Sequence, residues 1–354
     1  MNRSMQPGSI VEAILWLGAI FALAWTGSAA GFLYGAVTQE RSTYSVVAMD
    51  PATGDVGIAG ASCVPISAGA MITFVPGKGA AGTQAAYTPQ NQAKVFDLLR
   101  QGATANEIIE FVRDDAYDAD AGQRQYGVVT SRDGIVQAAG FTGKGNNDWA
   151  GDRQNSTMAV SVQGNTLENA EVVKDALAAY TARDIGAVEL SDRLLRALEA
   201  ASAAGGDRRC NRAGVRQTAQ AAFIAMARAN QPPFAATLGQ DPAPEDPAAP
   251  WLYISVIEAP GGPNPLLELR SRYNTWRSEN LPPCADCNLD SIPVPEGGEP
   301  NPLVKTALQI VSRVGLLAVG LSCLVSVALL VCSSTIICVR RRSRRRRLTH
   351  MVQS

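Results

Sequence analysis

Apolar positions recur along the middle of the chain with two different periods, and the change from one period to the other divides it into strands and helices. Tyr44 to Met49 and Val56 to Ala61 are short apolar runs separated by Asp50-Pro51-Ala52-Thr53-Gly54. Proline and glycine supply turn geometry there, so the pair predicts a hairpin. Met71 to Phe74 and the glycine-rich stretch through Gly82 continue as strand material. A helix is expected around Gln92 to Arg100, and a second from Thr104, where Thr104 and Glu107 form a capping box ahead of Ile108, Ile109 and Val112. Tyr126 to Val129 and Ile135 to Ala139 flank Ser131-Arg132-Asp133-Gly134, a second hairpin. Thr157 to Val162 reads as a strand, and amphipathic helices follow at about Glu168 to Thr181 and Ser191 to Ala204, the latter stopped by Gly205-Gly206. Phe223 to Met226 and Trp251 to Ile257 close the series as strands, separated by a loop from Gln231 to Pro250. Strands, two helices, strands, two helices, strands is the order of an α+β sandwich of stacked sheet and helix layers.

The two ends have a different pattern. Val314 to Val339 carries no charge and lies between Arg313 and Arg340. At about 1.5 Å per residue such a helix reaches close to 40 Å, against a hydrocarbon core of roughly 30 Å, so a transmembrane helix is expected over 314–339. Arg340, Arg341, Arg342, Arg344, Arg345, Arg346 and Arg347 follow it. Positive charge flanking a span marks the cytoplasmic side and meets anionic lipid, which makes membrane lipid an expected partner. Cys338 at that boundary is either a palmitoylation site or an ordinary membrane cysteine. At the other end Arg3, the apolar run from Ala13 to Trp25 and Ser28-Ala29-Ala30 have the layout of a signal peptide, 1–30, cleaved after Ala30. The apolar character continues to Val37, so an uncleaved signal anchor is the alternative. Either way the main domain, 42–280, is expected on the extracytoplasmic face of a single-pass membrane protein, joined by a proline-rich stalk at 281–312.

Charge and composition then narrow the chemistry. The formal net charge is −1; the exported part, without the seven tail arginines, is more acidic still, which argues against nucleic acid as a partner. The chain has one histidine, His350, in the tail. A Ser-His-Asp or Cys-His relay and a His-ligated zinc site are therefore excluded from the domain. There is no P-loop, dinucleotide fingerprint or G-x-S-x-G elbow, and no cofactor or metal is expected. A base must come from a carboxylate, a lysine or a free α-amino group, whose ordinary pKa near 8 suits it to the task. Cys63, Cys210, Cys284 and Cys287 are four cysteines in an oxidising compartment, so disulfides are expected. Cys284 and Cys287 form a C-x-x-C in the proline-rich stretch, where a structural loop disulfide is weighed against redox work.

Several segments, in order, resemble the domain of unknown function 1028 family. They are Ser42 to Gly54, Gly82-Thr83-Gln84-Ala85, Arg124-Gln125-Tyr126-Gly127-Val128-Val129, Val162-Gln163-Gly164-Asn165, Gly206-Asp207-Arg208-Arg209-Cys210, and Leu267 to Trp276. The resemblance implies a fold of the N-terminal-nucleophile (Ntn) hydrolase type, two antiparallel sheets stacked between helical layers. In that superfamily the first residue of the mature chain attacks an amide while its own α-amine takes the proton. The matching position is Thr43, with Ser42 as the neighbouring candidate, and the substrate would be a small amide or peptide-like molecule. Gln84 and Asn165 are candidate amide donors to an oxyanion or substrate carbonyl, although Gln163-Gly164-Asn165 also reads as a plain turn. Asp207, after a glycine pair, is either a substrate-binding residue or the cap of a turn. The resemblance also implies a disulfide between Cys63 and Cys210. Gly31 to Ser42 precede Thr43 after the expected signal cleavage, so a Thr43 nucleophile needs further processing. A non-catalytic surface binding or adhesion module on the same fold is the competing expectation.

Overall fold

The computed structural model describes residues 43–64 and 71–298, with breaks at 184, 185, 187, 213, 237–241, 243–245, 285, 286 and 288. The expected signal segment, the transmembrane helix at 314–339, the arginine-rich tail and Ser42 lie outside the described residues. Among the described residues no helix is long and apolar enough to cross a membrane.

The plan of the fold is written in β1 (Thr43–Met49), which is buried along its whole length. Successive side chains of a strand point to opposite faces. Tyr44, Val46 and Ala48 join one apolar cluster, whereas Val47 and Met49 join another. A strand buried on both sides needs a layer above and a layer below. β1 pairs antiparallel with β2 (Val56–Ser62) on one side and with β8 (Val160–Asn165) on the other. With β7 (Gly151–Asn155), β11 (Ala221–Ala227) and β13 (Leu252–Ile257) they make a six-stranded sheet of order β13-β11-β2-β1-β8-β7. A second antiparallel sheet has the order β12-β3-β4-β5-β6, from β3 (Ile72–Val75), β4 (Gly79–Ala85), β5 (Arg124–Arg132), β6 (Ile135–Thr142) and β12 (Phe234–Ala235). A short ribbon, β9 (Asn211–Arg212) with β10 (Val215–Arg216), stands apart.

The sheets face each other across Val47, Met49, Ile58, Ile72, Phe74, Val129 and Phe223. On the outer face of the second sheet lie α1 (Pro89–Arg100) and α2 (Ala105–Val112), which bury Val95, Leu99, Ile108 and Val112 against Ala81, Tyr126 and Val128. The expected capping box closes: Thr104 Oγ1 accepts from Glu107 N at 3.3 Å, and Glu107 Oε2 accepts from Thr104 N at 2.7 Å. On the outer face of the first sheet lie α3 (Glu171–Thr181), α4 (Leu190–Ala203) and α5 (Pro265–Asn280), whose Val172, Leu194, Leu198 and Leu269 pack with Tyr44 and Val46.

Several elements depart from the pattern read in the sequence: β12 lies within the expected loop from Gln231 to Pro250, the β9–β10 ribbon was not expected, and β7 and α5 break the expected periodicity. β7 has no apolar residue and escapes any test of hydrophobic alternation. α5 turns two arginines toward α4, so its inward face is not a clean apolar stripe. Arg270 forms a bidentate pair with Glu199, and Arg277 Nε donates to Asp192 Oδ1 at 2.8 Å. The same Asp192 oxygen accepts from the Tyr273 hydroxyl at 2.8 Å, and burial beside that carboxylate pushes the Tyr273 pKa up. Beyond α5 the proline-rich segment is seen as far as Gly298, running back over the domain. Arg196 Nη1 donates to Asp290 O at 2.8 Å, Ile292 N donates to Glu199 Oε2 at 3.1 Å, and Gly298 N donates to Gly262 O at 2.8 Å. Cys284 and Cys287 are bonded to each other.

Removing a buried partner leaves the other charge uncompensated, which is costlier than never having had the pair. Asp192→Ala strands the Arg277 guanidinium and leaves the Tyr273 hydroxyl with Ser191 Oγ as its partner. It is expected to lower unfolding stability by about 3 kcal/mol, read as a reduced midpoint in urea denaturation.

Candidate active site between the sheets

At one end of the intersheet layer the apolar filling gives way to carboxamides and hydroxyls. Thr43 heads β1 with 4% of its surface exposed, and its Cα partner on β8 is Asn165. Alternation puts Thr43 on the same face as Ser45 and Val47, toward the second sheet. From that sheet Gln84, on β4, reaches across: its Nε2 donates to the Thr43 carbonyl at 3.2 Å, and its Oε1 accepts from Ser45 Oγ at 2.6 Å. Gln125, at the start of β5 and fully buried, lies beside it. Gln125 Oε1 accepts from Gln84 Nε2 at 2.7 Å and from Asn165 Nδ2 at 2.8 Å. Gln125 Nε2 donates to Thr142 Oγ1 at 2.9 Å and to Gly164 O at 2.8 Å.

The pattern continues in both directions. Thr142 donates to Asp152 Oδ2 through a short hydrogen bond, while Asp152 Oδ1 accepts from Gln154 Nε2 at 2.8 Å. Ser161 Oγ donates to Gln163 Oε1 at 2.9 Å, and Gln163 Nε2 donates to Ser45 Oγ at 2.7 Å. Glycines make the room. A Cβ at Gly127 would overlap the Gln163 carboxamide, and one at Gly140 would overlap Gln154 and Asp152. The two strands that carry Gln84 and Asn165 both end abruptly: Ala85 has φ 67° and Thr166 φ 53°, a left-handed conformation that costs a residue with a Cβ on the order of 1 kcal/mol.

The structure thus brings Thr43, Gln84 and Asn165 together. Ser42 lies outside the described residues. Asp207 is fully buried but belongs to a different cluster. Its carboxylate accepts from Arg209 N at 3.0 Å, capping a single 3-10 turn, pairs with the Arg209 guanidinium at 2.8 Å, and accepts from Cys63 N at 2.9 Å. Cys63 and Cys210 are bonded, with Cα atoms 5.6 Å apart. Carboxylate and disulfide together tie the end of β2, next to the head of β1, to the segment after α4.

Sequence reading assigned no role to Gln125, Gln163, Ser45, Ser161, Thr142, Asp152 or Gln154. The available signal was a glutamine at an inward position of an otherwise apolar run, as at Gln125 and Gln163. The start of β5 is anchored by Arg124, whose guanidinium bonds the Ala86 carbonyl and pairs with Asp118 at 2.8 Å. That hydrogen bond, helped by Asn91 Nδ2 and opposed by burial, pulls the Asp118 pKa down to about 2. No group of histidine, cysteine, aspartate or glutamate side chains suited to hold a metal ion occurs among the described residues.

Two outcomes test this arrangement. Gly127→Ala places a methyl group where the Gln163 carboxamide stands and is expected to cost about 2 kcal/mol by overpacking, read by chemical denaturation. Asp118 has a folded pKa below its ordinary 3.8, so its contribution is complete above that value and is lost as pH falls toward about 2. Urea unfolding of wild-type chain between pH 4 and pH 2 should therefore lose stability more steeply than that of Asp118→Asn; equal slopes would contradict the assignment.

Comparisons with known proteins support the fold and supply no reaction. Among curated proteins none matches this chain. The crystal structure of protein SPO2555 from Silicibacter pomeroyi, described by its title as a DUF1028 protein, is similar with a TM-score of 0.50 and 23% sequence identity, covering 67% of this chain and 89% of that one. Residues 43–247 match the family of unknown function DUF1028, and the chain belongs to that family.

Proposed function

We propose that the chain is a membrane-tethered amidohydrolase of the N-terminal-nucleophile type, acting on a small extracytoplasmic amide or peptide-like substrate. The observation that carries this reading is the placement of Thr43 at the head of β1, facing the intersheet layer beside Gln84 and across from Asn165. Peptide cleavage before Thr43 frees an α-amine on the residue that bears the hydroxyl. Thr43 Oγ then attacks the substrate carbonyl carbon, and its proton passes to that amine. The C–N bond breaks, the leaving nitrogen takes the proton, and water hydrolyses the Thr43 ester to regenerate the hydroxyl. The carboxamide of Asn165 is the donor proposed for the developing oxyanion, with Gln84 holding the Thr43 carbonyl beside it. No histidine is present in the domain, so the α-amine is the base that suits this site. The stacked sheets between helical layers suit the same superfamily, and membrane lipid is the partner proposed for the 314–339 segment and the tail.

A specific observation favours a second reading, a surface binding module without catalysis. Both N–H groups of Gln84 are taken, by Gln125 and by the Thr43 carbonyl, which stays in its peptide bond to Tyr44 whether or not the chain is cut, and Thr43 is almost wholly buried. N-terminal sequencing of the protein from its native host separates the two. A mature chain starting at Thr43 that hydrolyses members of an N-acyl amide panel, with activity lost at least a thousandfold in Thr43→Ala, is expected. A start at Ser42 moves the nucleophile to that residue, whereas a chain that begins upstream of Ser42 in every molecule removes the hydrolase and leaves the binding module.

A further inference from the structure

We infer that Gln125 is the positioning residue of the proposed site, the side chain that fixes which atoms Gln84 and Asn165 turn toward the head of β1. The inference rests on the reading of Thr43 as nucleophile. A carboxamide has two faces of opposite polarity, and near-equal shape lets it sit either way round unless its neighbours decide. At Gln125 they decide. The Gly164 carbonyl, 2.8 Å from its nitrogen, can only accept. Thr142 has one hydroxyl proton, and the Asp152 carboxylate, which accepts only, claims it. Thr142 therefore presents a lone pair to Gln125. Both neighbours demand N–H groups, so the Gln125 nitrogen faces them and its oxygen faces the other way.

That oxygen in turn leaves Gln84 and Asn165 one choice each. Gln84 must offer Nε2, and Asn165 must offer Nδ2, at 2.7 and 2.8 Å. The second N–H of Gln84 then falls on the Thr43 carbonyl. The other side of Gln84 agrees with this polarity. Asp152 Oδ1 holds the Gln154 nitrogen, Ser161 donates to Gln163 Oε1, Gln163 Nε2 donates to Ser45, and Ser45 donates to Gln84 Oε1. Gln154 Nε2 also lies 3.4 Å from Ser161 Oγ, which completes a loop in which every donor points the same way from Gln154 round to Asp152. Gln125 is the one member that touches both Gln84, its neighbour in the same sheet, and Asn165, on the opposite sheet.

The test uses the protein purified with its native N-terminus and a β-lactone probe, whose acylation of the Thr43 hydroxyl is followed by intact mass and located by peptide mapping. Gln125→Leu, close in size, removes the shared acceptor. The maximal acylation rate per folded molecule is expected to fall about a hundredfold, as when one oxyanion donor is lost, with the half-saturating probe concentration changed by less than about threefold. A fall of less than about fivefold overturns the inference, since a merely structural role would lower the folded fraction and not this rate. Should Gln125→Leu fail to fold, side-chain amide NMR of the wild-type chain decides. Contacts of the Gln125 amide protons with Gly164 and Thr142 are expected; contacts with the Gln84 and Asn165 amides instead overturn it. Wild-type protein that is not acylated at Thr43 removes the nucleophile reading itself, while the NMR contacts still report the polarity of Gln125.

Discussion

A carboxamide buried between two β-sheets has to find acceptors for its N–H groups and a donor for its oxygen, because each unmet group costs on the order of 1–3 kcal/mol. Four glutamines, an asparagine, two serines and a threonine meet that demand here with one another, with Asp152 and with backbone carbonyls. The constraint reaches far outside the site. It fixes the register of β1 against β8, since a one-residue slip of β1 would turn Ser45 into the apolar layer under α3 and α4 and part it from Gln163. It also dictates glycine at 127 and 140, where any side chain would occupy the space the amides need.

The strands that carry these groups are secured at the ends where they meet. The end of β2 is held by Asp207 and by the Cys63–Cys210 bond, the start of β5 by Arg124 with Asp118, and the helical layer behind β1 by the Glu199–Arg270 and Asp192–Arg277 pairs. Fixing the ends matters for hydrogen bonds that tolerate only a few tenths of an ångström. A polar array in a low-dielectric layer is strong when complete and a liability when one member shifts. The left-handed residues after Gln84 and Asn165 belong to the same logic: both strands turn away immediately after delivering an amide.

Much of this fold was legible in the sequence, because β1, β2, β5 and β11 are short apolar runs bounded by turn residues and α2 announces itself with Thr104 and Glu107. β7 was not, since Gly151 to Asn155 carries no apolar residue and its stability comes from pairing with β8 and from the amides it presents inward. α5 was obscured because Arg270 and Arg277 point into the protein and are matched by acids some 70 to 85 residues away in sequence. At the site, Thr43, Gln84 and Asn165 came into view through family resemblance. Gln125 and Gln163 stood in the same quoted segments, yet a linear sequence does not say that an inward glutamine on one sheet will meet its complement on the other. Asp207 illustrates the reverse: its position after a glycine pair suggested a cap, and it caps a turn while also holding Cys63.

For the proposed chemistry, an array built mainly of carboxamides has a consequence of its own. An α-amine serves as base only if its surroundings leave its pKa near its ordinary value of about 8. A close unpaired carboxylate would raise it, and a close cation would lower it. Three carboxylates of the segments around the head of β1 are engaged: Asp207 by Arg209, Asp118 by Arg124, and Asp152 by Thr142 and Gln154 at the far end of the array. Among the described residues the side chains bonded to the Thr43 carbonyl and onward through Gln125 are carboxamides, and in the proposed mechanism dipoles oriented by Gln125 would stabilise developing negative charge on a substrate oxygen without adding a net charge beside the amine. Under the proposed mechanism, a histidine-free domain using its own N-terminus as base would gain from amides what a charged residue would supply only by disturbing that base.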